Sequence, residues 1–589
     1  MKLSRLITIR NTLKGGQMSK FGLKIRNYEA AVLFESNLGI RDYATYTDAM
    51  LSNSLLTDYL KTIGLNISKN ESTQDVICLK FSFGTKSYEE NKKKIQKQIK
   101  EEEDEKQREF LLNVLDKVEQ NKDKYQKLSA EELRKHYYVN GIDIQYKNKT
   151  IHYTMLYRTP GKAKEGSVMF INSKLFKKAQ NFMRMGIKLP KKNAPIVEIG
   201  AYSSLISSSI VDRIRIDPDE ILVIKDVDSY VYTDIISVET DEQKRCQVKP
   251  IKNYPLKNTM FDGQALIDDS IFPEWGDGYI LLRHHFFKAA AFHTSIQQYF
   301  KDNLEDYENA YLTDMFGRSV RAKNVKLITT ENSLKWLKFS KDFDYWAEWV
   351  HQNDCMFGIV KTAHQSKIGD LQRMSYQMVN ALDMSAMPKI VKTSKEYVER
   401  LKFDDEFFLK FLKDNSNFIN DYEALEYLAR NNPEFIRSEY FRERRLAIIR
   451  SYIMRFKNGK LLQNGDNLVI VGNPYGMLMH SIGKDPETDP TFKAEYACTQ
   501  CYTERFEDGE YLAEFRSPFN SRNNLGYLHN VKHPLIKKYC HIGRQCIAIN
   551  MVGSTFQSRN NGSDQDSNYR VGSRETLFKK YPVKIGTSQ

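Results

Sequence analysis

The sequence predicts an α+β protein with two β-rich modules separated by a helical connector, behind a mixed and partly helical N-terminal region. Three observations carry that expectation. Short apolar runs of strand character crowd residues 196–340 and return after 457, whereas 342–456 repeat apolar residues at helical spacing. At 589 residues the chain is too long for one hydrophobic core. No internal repeat of fixed period is visible.

Residues 1–145 make up the mixed N-terminal region, and its first 70 or so alternate short apolar and polar groups without a clear architecture. Within it, about 87–137 read as a charged helix or helical hairpin, with Ile95, Ile99, Phe110, Leu111, Val114, Leu115 and Val118 at near-helical spacing. Its Lys/Glu mixture points to a solvated arm with intrahelical ion pairs. Strands are expected from Tyr137-Tyr138-Val139 onward, and a β-rich lead-in domain spans 146–245, with strands at Ile151–Tyr157, Ile221–Ile224 and Ser229–Tyr232. The first β module is placed at 246–340 and the helical connector at 341–456, on Trp346, Trp349, Val350, Phe407, Phe408, Phe411 and Leu412. After the turn Asn458-Gly459-Lys460, the second β module runs over 457–568 with strands at Leu468–Val471, Tyr511–Phe515 and Cys546–Met551. Residues 569–589, basic and without periodicity, read as an unrelated tail.

Hydrophobic residues at 41% and charged residues at 28% describe an ordinary globular composition. Lys and Arg exceed Asp and Glu by 14, which favours polyanionic partners, nucleic acid first. Seven cysteines in so long a chain are no disulfide framework and fit a reducing cytoplasm. The N-terminus lacks the apolar core of a secretory signal, and no apolar run reaches the roughly 20 residues of a bilayer span. A soluble cytoplasmic protein with no membrane partner is expected.

The segment with most chemistry follows the apolar run Cys546–Asn550 and reads Asn561-Gly562-Ser563-Asp564-Gln565-Asp566-Ser567-Asn568. In an extended loop, Asp564, Asp566 and Asn568 face one way, and carboxylates that close need a cation between them. Magnesium is the natural occupant; a polar surface turn is the plain alternative. Asp564-x-Asp566-x-Asn568 with Glu575 also matches part of the helix-loop-helix calcium template, but Tyr569 stands where that template needs Gly.

Arg283 and Lys288, five apart at the end of a β run, have the means to grip phosphate oxygens, although a basic surface pair looks the same. Lys335, Trp336 and Lys338 interleave cation and aromatic, as a nucleic-acid-facing segment does. Glu514-Phe515-Arg516-Ser517-Pro518-Phe519-Asn520 sets a guanidinium before a rigid Pro, with Asn523 and Asn524 after it. Cys498-x-x-Cys501 with Cys540, His541 and Cys546 supplies zinc-type ligands without a matching second pair, so buried free thiols are the better account.

In their order these motifs resemble the two-barrel RNA polymerase superfamily, which includes cellular RNA-dependent RNA polymerases, single-chain phage-type polymerases and the large subunits of cellular RNA polymerase. The resemblance covers roughly residues 150–568. Arg158–Gly166 and Met169-Phe170-Ile171 look like the segment leading into the first barrel of single-chain members. Arg283 and Lys288 are similar in spacing to the Arg and Lys of the first double-psi β-barrel, with Ala289 where a Gly is usual. Gly472-Asn473-Pro474 and Arg516-Ser517-Pro518 look like second-barrel elements, and Asp564, Asp566 and Asn568 fall on the aspartates of the family's metal loop, with Ser567 and Asn568 as departures.

The resemblance implies two double-psi β-barrels and templated RNA synthesis from nucleoside triphosphates on a DNA or RNA template by a two-metal magnesium mechanism. Asp564 and Asp566 would be catalytic, with Asn568 completing the metal set; Lys288 and Arg283 would hold phosphates and Arg516 would orient the ribose. Asn568 weakens the metal site, and the family's bridge helix and trigger element have no room after it. A truncated reading frame with impaired activity is therefore expected, or a second chain that supplies the missing part. Two rivals remain: a catalytically inactive nucleic-acid-binding remnant or regulator, and a calcium-binding module.

Overall fold

Capping chemistry organises much of the first 140 residues. In this computed structural model, the described residues are 22–573, apart from 42, 147–148, 159–167, 188–195, 341, 365–367, 376–384, 386, 418–419, 496–497, 517–523 and 561–567. They fall into two units: one comprises the described residues of 1–215, 283–287 and 338–360, the other those of 216–282, 288–337 and 361–589. The protein is mixed α and β, with curled, half-barrel sheets.

The first unit is built on β1 (Leu23–Glu29), β2 (Tyr46–Leu51), β3 (Ser72–Lys80), β4 (Ile142–Tyr146), β5 (Lys149–Tyr157) and β6 (Val168–Asn172), in the sheet order β2-β1-β3-β6-β5-β4. Strand alternation sends Val76 and Cys78 to one core and Ile77 and Leu79 to the other, so β3 is covered on both faces. That sheet runs straight across the boundary expected at 145/146: β5 and β6 complete the N-terminal domain, and no separate lead-in domain spans 146–245. Nor are the described residues of the first 70 without architecture, since they supply β1, β2 and the helices Ala30–Asn37 and Leu55–Thr62.

The charged arm is a helical hairpin, Tyr88–Glu101 and Glu105–Gln120, that buries only Ile95 and Val118 and ties Lys92 to Glu119 at 2.9 Å. Tyr137, Tyr138 and Val139, expected as strand, lie instead in the helix Ala130–Asn140. Ser129 and Glu132 form a reciprocal capping box at its start, and Gly141 at φ 68° ends it, which outweighs the strand preference of the aromatic run. A short strand β7 (Asp212–Arg215) pairs with residues 356–359.

In the second unit, β8 (Ile221–Ile224) is followed by a long ribbon of β9 (Asp228–Thr240) and β10 (Cys246–Thr259), which bridges the boundary expected at 245/246. Next come β11 (Gln264–Asp268), β12 (Tyr279–His284), β13 (Phe287–Thr294), β14 (Tyr311–Thr313), β15 (Ser319–Arg321) and β16 (Leu327–Thr330); β17 (Met356–Thr362) has its residues 356–360 in the first unit, and β18 (Leu371–Ser375) follows in the second. The run β13-β11-β16-β8 alternates parallel, antiparallel and parallel pairing. The expected connector divides: Phe343–His351 belongs to the first unit, while Met387–Phe403, Asp405–Asn415, Tyr422–Asn431 and Glu439–Lys457 pack around a core of their own in the second.

The last strands are β19 (Lys460–Gly472), β20 (Thr499–Tyr502), β21 (Tyr511–Phe515), β22 (Leu525–Asn530), β23 (Cys546–Ile549) and β24 (Asn568–Ser573). They pair in the order β19-β23-β20-β22-β21-β24, and β24 also pairs with β19, so the ring of pairings closes. Two neighbours in the ring are parallel, β19 with β23 and β20 with β22. Residues 569–573, expected in an unrelated tail, are therefore part of the strand that closes the sheet. One core joins both β regions of this unit, with Leu222, Phe261, Leu266 and Phe292 from the first and Val469, Leu512, Leu528 and Ile547 from the second.

Candidate functional site at the end of the closing strands

Gln264 ties the two β regions of the second unit together, and Asn473 braces the later one. Gln264 of β11, wholly buried, donates from Nε2 to the Gly472 carbonyl at 3.0 Å and accepts the Gly472 N–H at 2.8 Å. Asn473, also wholly buried and at φ 20°, donates to Asp489 at 3.1 Å and accepts the Met551 N–H at 2.7 Å. The Gly472-Asn473-Pro474 element thus fixes where β19 ends and where the chain leaves β23. At the base of the ribbon, Asn258 donates to the carbonyls of Met551 and Ser554, and the Thr259 N–H reaches Gln557 at 2.8 Å.

Those contacts position the short helix Phe556–Arg559 and, after it, Asn560, the last residue described before the acidic segment. Asn560 donates from Nδ2 to Glu514 Oε2 at 3.1 Å, and its carbonyl accepts from Arg516 Nη1 at 3.2 Å. Asn524 donates to the neighbouring Arg559 carbonyl at 2.7 Å. Glu514 is wholly buried at the end of β21, opposite Gly526 of β22, where an added Cβ would lie 2.2 Å from Glu514 Oε2. Glycine there leaves room for the carboxyl oxygen where it stands.

Burial pushes the Glu514 carboxyl up to about 8, against the opposing pull of Asn560 and the Arg516 charge. Its Oε1 has no hydrogen-bond partner among the described residues, and neither has Asn560 Oδ1. A buried acid that keeps its proton near neutrality, an orphaned amide oxygen and a guanidinium therefore meet where the chain enters residues 561–567. Buried polar atoms left without protein partners are uncommon and mark places where water or a ligand completes the set.

Arg516 is thus placed against the residue leading into the acidic loop. Asp564 and Asp566 lie outside the described residues, as do Ser517, Pro518 and most of 158–166. Of Asn568 only the backbone is described: it pairs with Val469 at the start of β24. Arg283 stands near the end of β12 and Lys288 near the start of β13, with only the turn at 285–286 between the two strands. Lys288, half-buried, belongs to the second unit, where its N–H bonds to the Ser333 carbonyl at 3.0 Å, two residues ahead of Ala290, which is paired with Gln264. Arg283 belongs to the first unit. Lys335 and Trp336 form a short 3-10 turn with Trp336 buried, not an exposed stacking strand.

Cys498 and Cys501 do not converge as a knuckle. Cys501 is buried in the core, while Cys498 meets Glu495 and His529, a group of metal-ligand chemistry that fixes no metal by itself. Glu514 and Asn560 were hidden from sequence reasoning because their significance comes from burial and pairing, although the small residue opposite Glu514 is visible in hindsight.

No protein-family model matches the chain, and no curated protein matches it. Among the described residues, no helix is long and apolar enough to cross a membrane.

Proposed function

We propose that the chain carries a two-barrel polymerase plan and binds nucleic acid for templated nucleotidyl transfer. The observation that carries the reading is the closed sheet of β19–β24, with two parallel neighbours, in which Arg516 is hydrogen-bonded to Asn560 at the entrance to the acidic segment. That closed sheet is the counterpart of the second double-psi barrel, and the β13-β11-β16-β8 run that of the first. Arg516 then orients the sugar of the incoming nucleotide, Lys288 meets phosphate, and the basic excess holds template and product by their backbones. Magnesium on Asp564 and Asp566 would supply activation of the attacking hydroxyl and offset charge on the leaving pyrophosphate.

A second reading, nucleic-acid binding without catalysis, is favoured by Asn568, because a neutral group stands where the resemblance calls for a third carboxylate.

Primer extension and binding measured side by side separate the two. The polymerase reading expects magnesium-dependent, template-directed incorporation that is lost in Asp564→Asn/Asp566→Asn and falls about 10- to 100-fold in Arg516→Ala, the worth of one charge-assisted contact. The binder reading expects no incorporation, with salt-sensitive affinity unchanged by the double substitution. Absence of both activities would sink the proposal.

A further inference from the structure

Away from the Glu514 cluster, Glu495, Cys498 and His529 bring a carboxylate, a thiol and an imidazole together, with ligand atoms all within 4.8 Å of one another. Glu495 Oε1 is 2.8 Å from His529 Nδ1, and Glu495 Oε2 is 2.7 Å from Cys498 Sγ. Glu495 and Cys498 come from the approach to β20, and His529 from β22. The sheet register explains the meeting. Gln500 is paired directly with His529 and shares its face, whereas Cys501, one position on, turns into the core.

The group is held in place from behind. Gln500 donates to Glu495 Oε1 and accepts the Lys493 N–H at 2.8 Å, and the His529 ring stacks on Tyr511 at 4.5 Å, which in turn stacks on Tyr527 at 5.4 Å. Supporting contacts of this kind orient metal ligands in advance. The side chains of His529 and Glu495 are 20% and 26% exposed, shielded yet open to an entering ion.

The charge balances as well. A carboxylate, a thiolate and a neutral imidazole sum to two negative charges, matched by one divalent cation. Sulfur and imidazole nitrogen select zinc and its relatives over magnesium or calcium. We propose that Glu495, Cys498 and His529 form a zinc-class metal site, with the fourth position open to water, independent of the acidic segment at 564–568.

Without metal the same atoms form a hydrogen-bonded cluster. A thiol loses its proton when it ligates zinc, so zinc affinity should rise with pH.

The test uses the full-length chain, loaded with zinc, dialysed and assayed for bound metal, with a parallel cobalt(II) titration read by absorption. The site predicts one retained zinc per chain, proton release on binding, and a thiolate-to-cobalt charge-transfer band. Cys498→Ser should abolish the band and weaken zinc binding at least ~10-fold, and Glu495→Gln should weaken it comparably. Cys246→Ser, which changes an exposed ribbon cysteine, should alter nothing. Should Cys498→Ser fail to fold, Glu495→Gln and the wild-type cobalt band carry the test. Zinc lost on dialysis of the wild-type chain, zinc retained equally by the variants, or cobalt binding without the sulfur band would each overturn the proposal.

Discussion

The carboxyl of Glu514 shows how much one buried group decides at the end of β21. Because Gly526 gives it space, Gly526→Ala would set a Cβ 2.2 Å from Glu514 Oε2, so the buried carboxyl must turn and strain its contact with Asn560. We expect a loss of about 1–3 kcal/mol, read as a lower denaturant midpoint. Glu514 also makes a pH signature. Its folded-state pKa is raised to about 8 from an ordinary 4.5, so the folded protein keeps a proton that the unfolded chain releases. That stabilisation is complete below about 4.5 and is lost as pH rises through about 8, on the order of a few kcal/mol in all. Glu514→Gln keeps the shape without the proton, and should flatten the alkaline fall of stability. An unchanged pH profile in Glu514→Gln would count against a neutral, buried acid here.

Among the elements, the β9–β10 ribbon is the most dependent on its base. Its outer strands expose Tyr232, Ile236, Val238 and Val248, and contribute little core. Asn258 and Thr259 fasten it to the chain that leads into the acidic segment. Asn258→Ala leaves the Met551 and Ser554 carbonyls without their donor and should cost about 1–3 kcal/mol. If the proposed site is real, Arg516-dependent function should fall with it, whereas shortening the ribbon tip should spare stability. Helix Ala130–Asn140 makes the parallel point for capping: Ser129→Ala should remove about 1 kcal/mol and leave the second unit unaffected, as circular dichroism and hydrogen exchange would report.

For the whole molecule, the two units should answer pH in opposite directions. In the first, burial holds His284 and His285 below the usual imidazole range, His285 down to about 3, amid Phe182, Trp346 and Phe357. The unfolded chain takes up protons there from about 6.5 downward while the folded one does not, so stability falls as pH drops from 6.5 toward 3. In the second unit, Glu514 is joined by Asp226, which burial pushes up to about 7 against hydrogen bonds from Asn332, Phe261 and Val227, and stability falls as pH rises. Hydrogen-exchange protection, corrected for intrinsic rates, should therefore weaken first in residues of the first unit under acid and in those of the second under alkali. Equal loss everywhere at both extremes would contradict this.

Local pattern alone determined the strands Ile151–Tyr157, Ile221–Ile224 and Tyr511–Phe515, the helical hairpin of the arm, and the helices after 387, because each carries its own period of apolar residues. It also marked Arg516, since a guanidinium before proline is a local signal. Tertiary structure decided what depends on partners remote in sequence: that β5 and β6 complete the N-terminal sheet and that β24 closes the ring on β19. Burial and register between strands are properties of the folded chain, so Glu514, Asn560, Glu495 and His529 gained their chemistry only when folding set them beside their neighbours.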